Sequence, residues 1–152
     1  MNPLQSASLS LGVSVVVLAL KWLAFGLTGS VALFSDALES IVNVTAAAAA
    51  FIALWIARQP TDANHPFGHT KAEYFSAAFE SLLIVIAALL IIYEAMIRLW
   101  SPVVLHDIGW GVMVSLLASA INGVLAAYLL HIARITLSPA IKADGVHILS
   151  DV

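Results

Sequence analysis

Two short segments place acid, amide and imidazole side chains inside stretches that are otherwise apolar. Ser35–Val44 reads SDALESIVNV and holds Asp36, Glu39 and Asn43; Ala143–Val152 reads ADGVHILSDV and holds Asp144, His147 and Asp151. Aligned without gaps, they share the pattern D-x-x-(E/H)-x-x-x-(N/D)-V, with Asp36 on Asp144, Glu39 on His147 and Asn43 on Asp151. At about 100° per helical residue, offsets of three and seven keep the polar side chains of each segment within an arc of roughly 60°. Charged groups near a bilayer centre cost about 2.5–3.5 kcal/mol each on insertion scales, so such a stripe calls for a compensating role.

Metal ligation supplies one. Glu39 with Asn43, and His147 with Asp151, are i, i+4 pairs, and two such helices side by side would offer four ligands. Carboxylate, amide oxygen and imidazole suit a divalent ion of intermediate hardness. A bound cation or protons would neutralise charges that hydrocarbon does not accept. The histidine favours Zn²⁺, whereas the Asn43 amide and the two carboxylates leave harder ions such as Mn²⁺ open. Hydrogen bonding between helices is the plainer use of the same side chains.

A third group lies in QPTDANHPFGHTKAEYF, where Asp62, His65 and His69 are spaced three and four apart. Pro66 and Gly68 predict a turn there rather than a continuous helix. If the turn brings the three together, they form an oxygen/nitrogen metal site; if not, it is a polar turn with Lys71 and Glu73 in interfacial contacts. The spacing is not that of HExxH, so a zinc protease has no support.

The elements that must position these residues are membrane helices. The chain has 152 residues, 62% of them hydrophobic and 10% charged, with a mean hydropathy of +1.02, against about 25% charged in a typical soluble domain. Cysteine is absent, which excludes disulfides and thiolate metal sites. The net charge of −3 comes mostly from acids within or beside apolar segments and is not an acidic surface; no nucleic-acid partner is expected. Apolar runs predict helices at about 7–27, 31–57, 73–99 and 108–134, with a fifth starting near 140 and cut off at Val152. Gly26 and Gly29, the Pro60, Pro66, Gly68 cluster, Ser101-Pro102 and Ser138-Pro139 punctuate the connections. The expected fold is an all-α polytopic transmembrane helix bundle, four complete spans plus the start of a fifth. No basic region precedes the first apolar run, so a cleaved signal peptide is not expected. Arg58, Lys71, Arg134 and Lys142 flank the second and fourth connections, and Arg98 alone lies near an outer one. The N-terminus and the even-numbered loops therefore face the cytoplasm.

Single polar residues complete the picture. Lys21 lies inside the first span, where it either snorkels or takes part in the bundle. Glu80, between Glu73 and Glu94 on the third helix, is expected to face protein or water rather than lipid. On the same helix Ser76, Ala77, Ala78, Ala87 and Ala88 offer small surfaces for close packing, and Asn122 near the middle of the fourth is expected to hydrogen-bond to helix one or two. His106 and His131 read as solvated interfacial residues, and Trp22, Trp55, Trp100 and Trp110 as an aromatic belt.

The segments HPFGHTKAE and DGVHILSD resemble those of the cation diffusion facilitator family of divalent-metal transporters, and the likeness runs through nearly the whole chain. The family's fifth-helix HxxxD motif stands here as His147 to Asp151. Its second-helix ligand pair, more often Asp/Asp or His/Asp, maps onto Glu39 and Asn43, and that departure bears on which metal is carried. The resemblance implies proton-coupled efflux by alternating access of a divalent ion, Zn²⁺ first and Fe²⁺, Mn²⁺, Co²⁺ or Cd²⁺ next, as substrate rather than cofactor. It implies a transport site of Glu39, Asn43, His147 and Asp151, and a second metal at Asp62, His65 and His69 in the cytoplasmic loop. Asp36, Asp144 and Glu80 take supporting or proton-handling roles. It also implies a six-helix domain of which residues 1–152 are a fragment, truncated within helix five, a cytoplasmic C-terminal domain beyond them, a homodimer, and a place in the plasma (cytoplasmic) membrane. The chain is not expected to be an enzyme. The alternative is a membrane metal sensor or scaffold that keeps the site and moves nothing; an intramembrane hydrolase would need a nucleophile motif that the sequence lacks.

Overall fold

A computed structural model describes residues 2–28, 31–100 and 108–152, and among these it contains helices and no strand. The helices are α1 (Pro3–Thr28), α2 (Val31–Ala57), α3 (Lys71–Trp100), α4 (Ile108–Thr136) and α5 (Pro139–Leu149). Helices α1 to α4 run for 26, 27, 30 and 29 residues, and at about 1.5 Å per residue each exceeds a hydrocarbon core of about 30 Å. All four are apolar enough to cross a membrane. Gly29, Ser101-Pro102 and His106 lie outside the described residues, as do the side chains of Glu94, Arg98 and Trp110.

The first helix starts at Pro3 rather than at residue 7, because the N-terminus is capped. Asn2 Oδ1 accepts the Leu4 N–H at 3.3 Å, and Gln5 Oε1 accepts the Asn2 N–H at 3.2 Å. With Pro3 in the first helical position, this is a reciprocal cap of the Asn-x-x-Gln kind. Proline also opens α5, where Ser138 Oγ accepts the Ile141 N–H at 3.4 Å.

Packing is closest where side chains are smallest. On α2, Ala37, Ala46, Ala47 and Ala50 are fully buried, and on α1 so are Ser6, Ala7 and Ser10. The third helix uses its small residues only in part: Ser76 is buried and Ala77 and Ala87 are half-buried, but Ala78 and Ala88 are exposed. It presents Leu82, Val85, Leu89 and Leu90 outward, as a lipid-facing helix would. A continuous apolar core joins Leu54 of α2, Leu125 and Leu129 of α4, and Ile141 and Ile148 of α5. Gly145 permits that contact, since a Cβ there would lie 3.1 Å from Leu130 Cγ and 3.2 Å from Leu129 Cβ.

Helix α5 is regular for 11 residues, about 16 Å at the ordinary rise. Its last turn tightens, with the Ser150 N–H donating to both Val146 O and His147 O and the Asp151 N–H to Ile148 O. Asp151 therefore sits on a turn just past the helix rather than on the helix itself. Between α2 and α3, residues 58–70 form turns as the proline and glycine predict, and Gly68 takes a φ of +80° that other residues rarely adopt.

Candidate metal centre

Three of the four predicted transport ligands meet at the α2–α5 contact. Asn43, 4% exposed, is the hub. Its Nδ2 donates to Asp151 Oδ2 at 2.5 Å, and its Oδ1 lies 3.1 Å from His147 Nε2. An amide oxygen can only accept, so His147 Nε2 carries the proton of that bond. The other ring nitrogen, Nδ1, is buried with no hydrogen-bond partner. The turn at Ser150–Asp151 carries the carboxylate back toward α2, so the contact forms although Asp151 has left the helix. Glu39 is half-buried one turn before Asn43 and within electrostatic range of Asp151, Asp36 and Lys21. It flanks the trio rather than bonding to it.

The three supporting acids do not share one environment. Asp36 Oδ1 is 2.7 Å from Lys21 Nζ, and its Oδ2 accepts from Ser115 Oγ at 3.4 Å. Lys21 is 4% exposed, so of its two predicted uses it takes the one in the bundle. Asp144 and Glu80 are both fully buried, on α5 and α3, and within electrostatic range of each other. Glu80 Oε1 accepts from Ser76 Oγ at 3.0 Å and Glu80 Oε2 has no hydrogen-bond partner, while the Asp144 carboxyl lies against the Ser10 hydroxyl.

The loop group does converge. His65 Nδ1 is 3.0 Å from Asp62 Oδ1, and His69 Nε2 is 3.5 Å from Asp62 Oδ2. One ligand atom from each of the three lies within 4.8 Å of the others, and the imidazole centroids are 4.3 Å apart. Asp62 is exposed, and Oδ1 also accepts the N–H groups of Asn64 at 2.9 Å and His65 at 2.6 Å. The His65 backbone N–H is the largest cause that holds the Asp62 carboxyl below its usual value, with further hydrogen bonds from the His65 ring and the Asn64 N–H. A carboxylate kept charged beside two imidazoles can bind a divalent cation without first losing a proton.

Other expectations fared unevenly. Glu80 faces protein, as its position inside α3 implied. Asn122 is buried, but its Nδ2 has no hydrogen-bond partner, so that nitrogen makes no bond to α1 or α2. His131 is exposed, and Trp22, Trp55 and Trp100 are more than a third exposed. Ser10 was not singled out from the sequence, yet it is fully buried beside Asp144. A signal existed: Ser6, Ser10 and Ser14 recur every fourth residue on the face of α1 that also buries Lys21.

Comparison with known proteins gives consistent matches. The family profile of the cation efflux transmembrane domain matches residues 7–152. An uncharacterized transporter of Synechocystis sp. is 45% identical over 146 residues, which is 96% of this chain and 47% of that protein. The cation-efflux pump FieF of Serratia proteamaculans is 34% identical over 137 residues, 90% of this chain and 46% of the pump. FieF of Escherichia fergusonii is 31% identical over 148 residues, 97% of this chain and 49% of the pump. The chain thus spans about half the length of these relatives.

Proposed function

The chain belongs to the cation efflux family, is an integral multi-pass membrane protein, and from that premise we propose that it carries the membrane site of an exporter for divalent transition metals. The substrate binds at Glu39, Asn43, His147 and Asp151, with zinc favoured and iron, manganese, cobalt or cadmium also accommodated. The observation that supports this reading most strongly is Asn43, which holds His147 through its oxygen and Asp151 through its nitrogen. Donor groups from two helices are thereby gathered at one buried point before any ion arrives. Binding exchanges the Asn43–Asp151 bond for coordination by the carboxylate, the amide oxygen and an imidazole nitrogen, with Glu39 closing from the side.

Charge balance suggests how export is driven. A cation entering from the cytoplasm displaces protons from the imidazole or a carboxyl, and protons from the far side displace the cation in turn. Alternating access around a fixed site is enough, and no covalent chemistry is involved. Asp36, Asp144 and Glu80 support the site or handle protons. Asp62, His65 and His69 bind a second ion at the cytoplasmic mouth. In this reading the N-terminus faces the cytoplasm of a plasma-membrane protein, and the other half of the transporter's length supplies a sixth helix and a cytoplasmic domain that helps form a homodimer.

Vesicle flux tests the proposal. The full-length protein reconstituted into liposomes should move zinc against a proton flux, and Asp151→Ala should abolish the movement while leaving the protein folded. Zinc binding without flux in the native protein would favour a sensor or scaffold instead. Metal competition on Asn43→Asp should shift the preference between zinc and manganese; an unchanged preference removes Asn43 from the ligand set.

A further inference from the structure

The Lys21–Asp36 ion pair stands one helical turn from the proposed transport site. Lys21 Nζ lies 2.7 Å from Asp36 Oδ1, and the Ser115 hydroxyl donates to Asp36 Oδ2 at 3.4 Å. Both carboxylate oxygens of an α2 residue are therefore held by neighbours, one from α1 and the other from α4. Asp36, Glu39 and Asn43 follow one another along a single face of α2 at offsets of three and four, which sets the Cβ atoms of successive members about 5–6 Å apart. The other two members of this stripe serve the site: Asn43 bonds His147 and Asp151, and Glu39 flanks them. Lys21 is 4% exposed, and its charge also reaches Glu39 and Asp151.

A buried ion pair is a poor device for stability, because desolvating both charges offsets most of their attraction, and an ionisable group inside a membrane calls for a functional reason. The stripe supplies one. Its first member is a carboxylate, the donor that hard ions such as Mn²⁺ select over imidazole. With both oxygens occupied, Asp36 is withheld from any ion at Glu39 and Asn43. We propose that Lys21, assisted by Ser115, sets the metal preference of the transport site by keeping Asp36 out of the ligand set, so that His147 weighs more among the donors and zinc is preferred to manganese. This inference rests on the four-ligand reading of the site given above. Lys21 acts through Asp36 and touches no metal, so it is a positioning residue. Removing its ammonium frees a carboxylate one turn before Glu39 and takes away a positive charge that opposes an incoming cation. Both consequences strengthen cation binding, and the freed oxygens favour the harder ion. Damage to the bundle would instead weaken binding of both ions alike.

Metal titration separates the two outcomes. The full-length protein in phosphatidylcholine nanodiscs is titrated calorimetrically with Zn²⁺ and with Mn²⁺, and the component of binding lost in Asp151→Ala is assigned to the transport site. Lys21→Met should raise the Mn²⁺ affinity of that component about tenfold and the Zn²⁺ affinity by less, so that the Mn²⁺/Zn²⁺ affinity ratio rises severalfold. Lys21→Met/Asp36→Asn should bring the ratio back to within about twofold of native, because no carboxylate is left to release and the pair is again neutral. Ser115→Ala keeps the ion pair and frees Oδ2 alone. It should raise the ratio about twofold, and it decides the matter if Lys21→Met does not fold. An unchanged ratio in the folded variants, or an equal loss of both ions, overturns the inference and leaves Lys21 and Asp36 a structural pair. A gain that persists in the double variant overturns it as well, since Asp36 would not be the source. If Asp151→Ala removes no binding, the four-ligand reading fails and this inference falls with it. If Asp151→Ala removes binding while the ratio stays fixed, only the role of Lys21 is overturned.

Discussion

Asp36 and Asp144 occupy equivalent places in the two matching segments, each three residues before the first residue of a proposed ligand pair, yet the fold treats them in opposite ways. Asp36 is answered by Lys21 at 2.7 Å and by the Ser115 hydroxyl. Asp144 is sealed completely, with the Ser10 hydroxyl beside it, no cationic partner among the described residues and a second carboxylate within electrostatic range. The repeat in the sequence places both acids on the polar faces of their helices. What each meets there depends on helices one, three and four, which do not repeat. Equivalent positions within a pattern are therefore not equivalent charges, and the two acids should respond differently to the same substitution.

The largest effect comes from removing the charge at each position. Asp36→Asn leaves the Lys21 ammonium buried without its partner, and breaking one side of a buried pair costs about 3–5 kcal/mol. Asp144→Asn removes a buried acid that has no cationic partner among the described residues, so it should be neutral or stabilising. Thermal unfolding of both variants in nanodiscs measures the difference. The comparison fails if the two shift stability in the same direction by similar amounts. Lys21→Met should resemble Asp36→Asn, and the Lys21→Met/Asp36→Leu double variant should regain much of the loss, because the charge is removed with its partner.

Next in size are two changes that test how α5 is held while Asp144 stays in place. Gly145→Val must fit a branched side chain where even a Cβ would be 3.1 Å from Leu130. Overpacking of this kind costs about 1–3 kcal/mol. Because it pushes α5 from α4, it should also lower metal affinity at His147 and Asp151, read by zinc titration; a variant with native stability and affinity would mean that the α4–α5 contact gives way freely. Ser138→Ala removes the α5 N-cap, for about 1 kcal/mol, and the hydroxyl that donates to Glu73 Oε2 at 2.5 Å. That loss should appear in the melting temperature with little change in zinc affinity, since Ser138 lies at the opposite end of α5 from Asp151.

How much of this was legible before the structure differs between the helices and the contacts. The apolar runs located α2 and α4 to within two residues at each end, because hydrophobic length is a local property. The start of α1 was missed, since the Asn2–Gln5 cap is made by side chains that have no place in an apolar run. The convergence of Asn43 with His147 and Asp151 followed from matching two segments. That of Ser10 with Asp144 did not, because a serine on an apolar helix gives no sign of its partner. The same holds for Lys21: its type and position were plain, but only the packing of α1 on α2 chose between a snorkelling side chain and a buried pair. Patterns within one helix could be read from the sequence, whereas the identity of the facing helix could not.

The smallest effect concerns the one acid in these clusters that is held by its own loop. Asp62 owes its lowered value first to the His65 backbone N–H and then to the His65 ring and the Asn64 N–H, all within three residues. Unlike Asp36 and Asp144, it should therefore behave the same whatever the bundle does. A depressed carboxyl contributes stability that is fully present above its unfolded value and is lost as pH falls through the folded one. The turn should accordingly persist through the unperturbed value of 3.8 and open only at lower pH. The Asn64 and His65 amide resonances, followed by NMR during acid titration, report the midpoint directly. It should lie below 3.8 in the native protein and in Gly145→Val alike, and Asp62→Asn should remove the transition. A midpoint at or above the unperturbed value would mean that these N–H groups do not hold Asp62 in solution. A midpoint that moved in Gly145→Val would mean instead that the loop site, like the two intramembrane acids, takes its character from the helices around it.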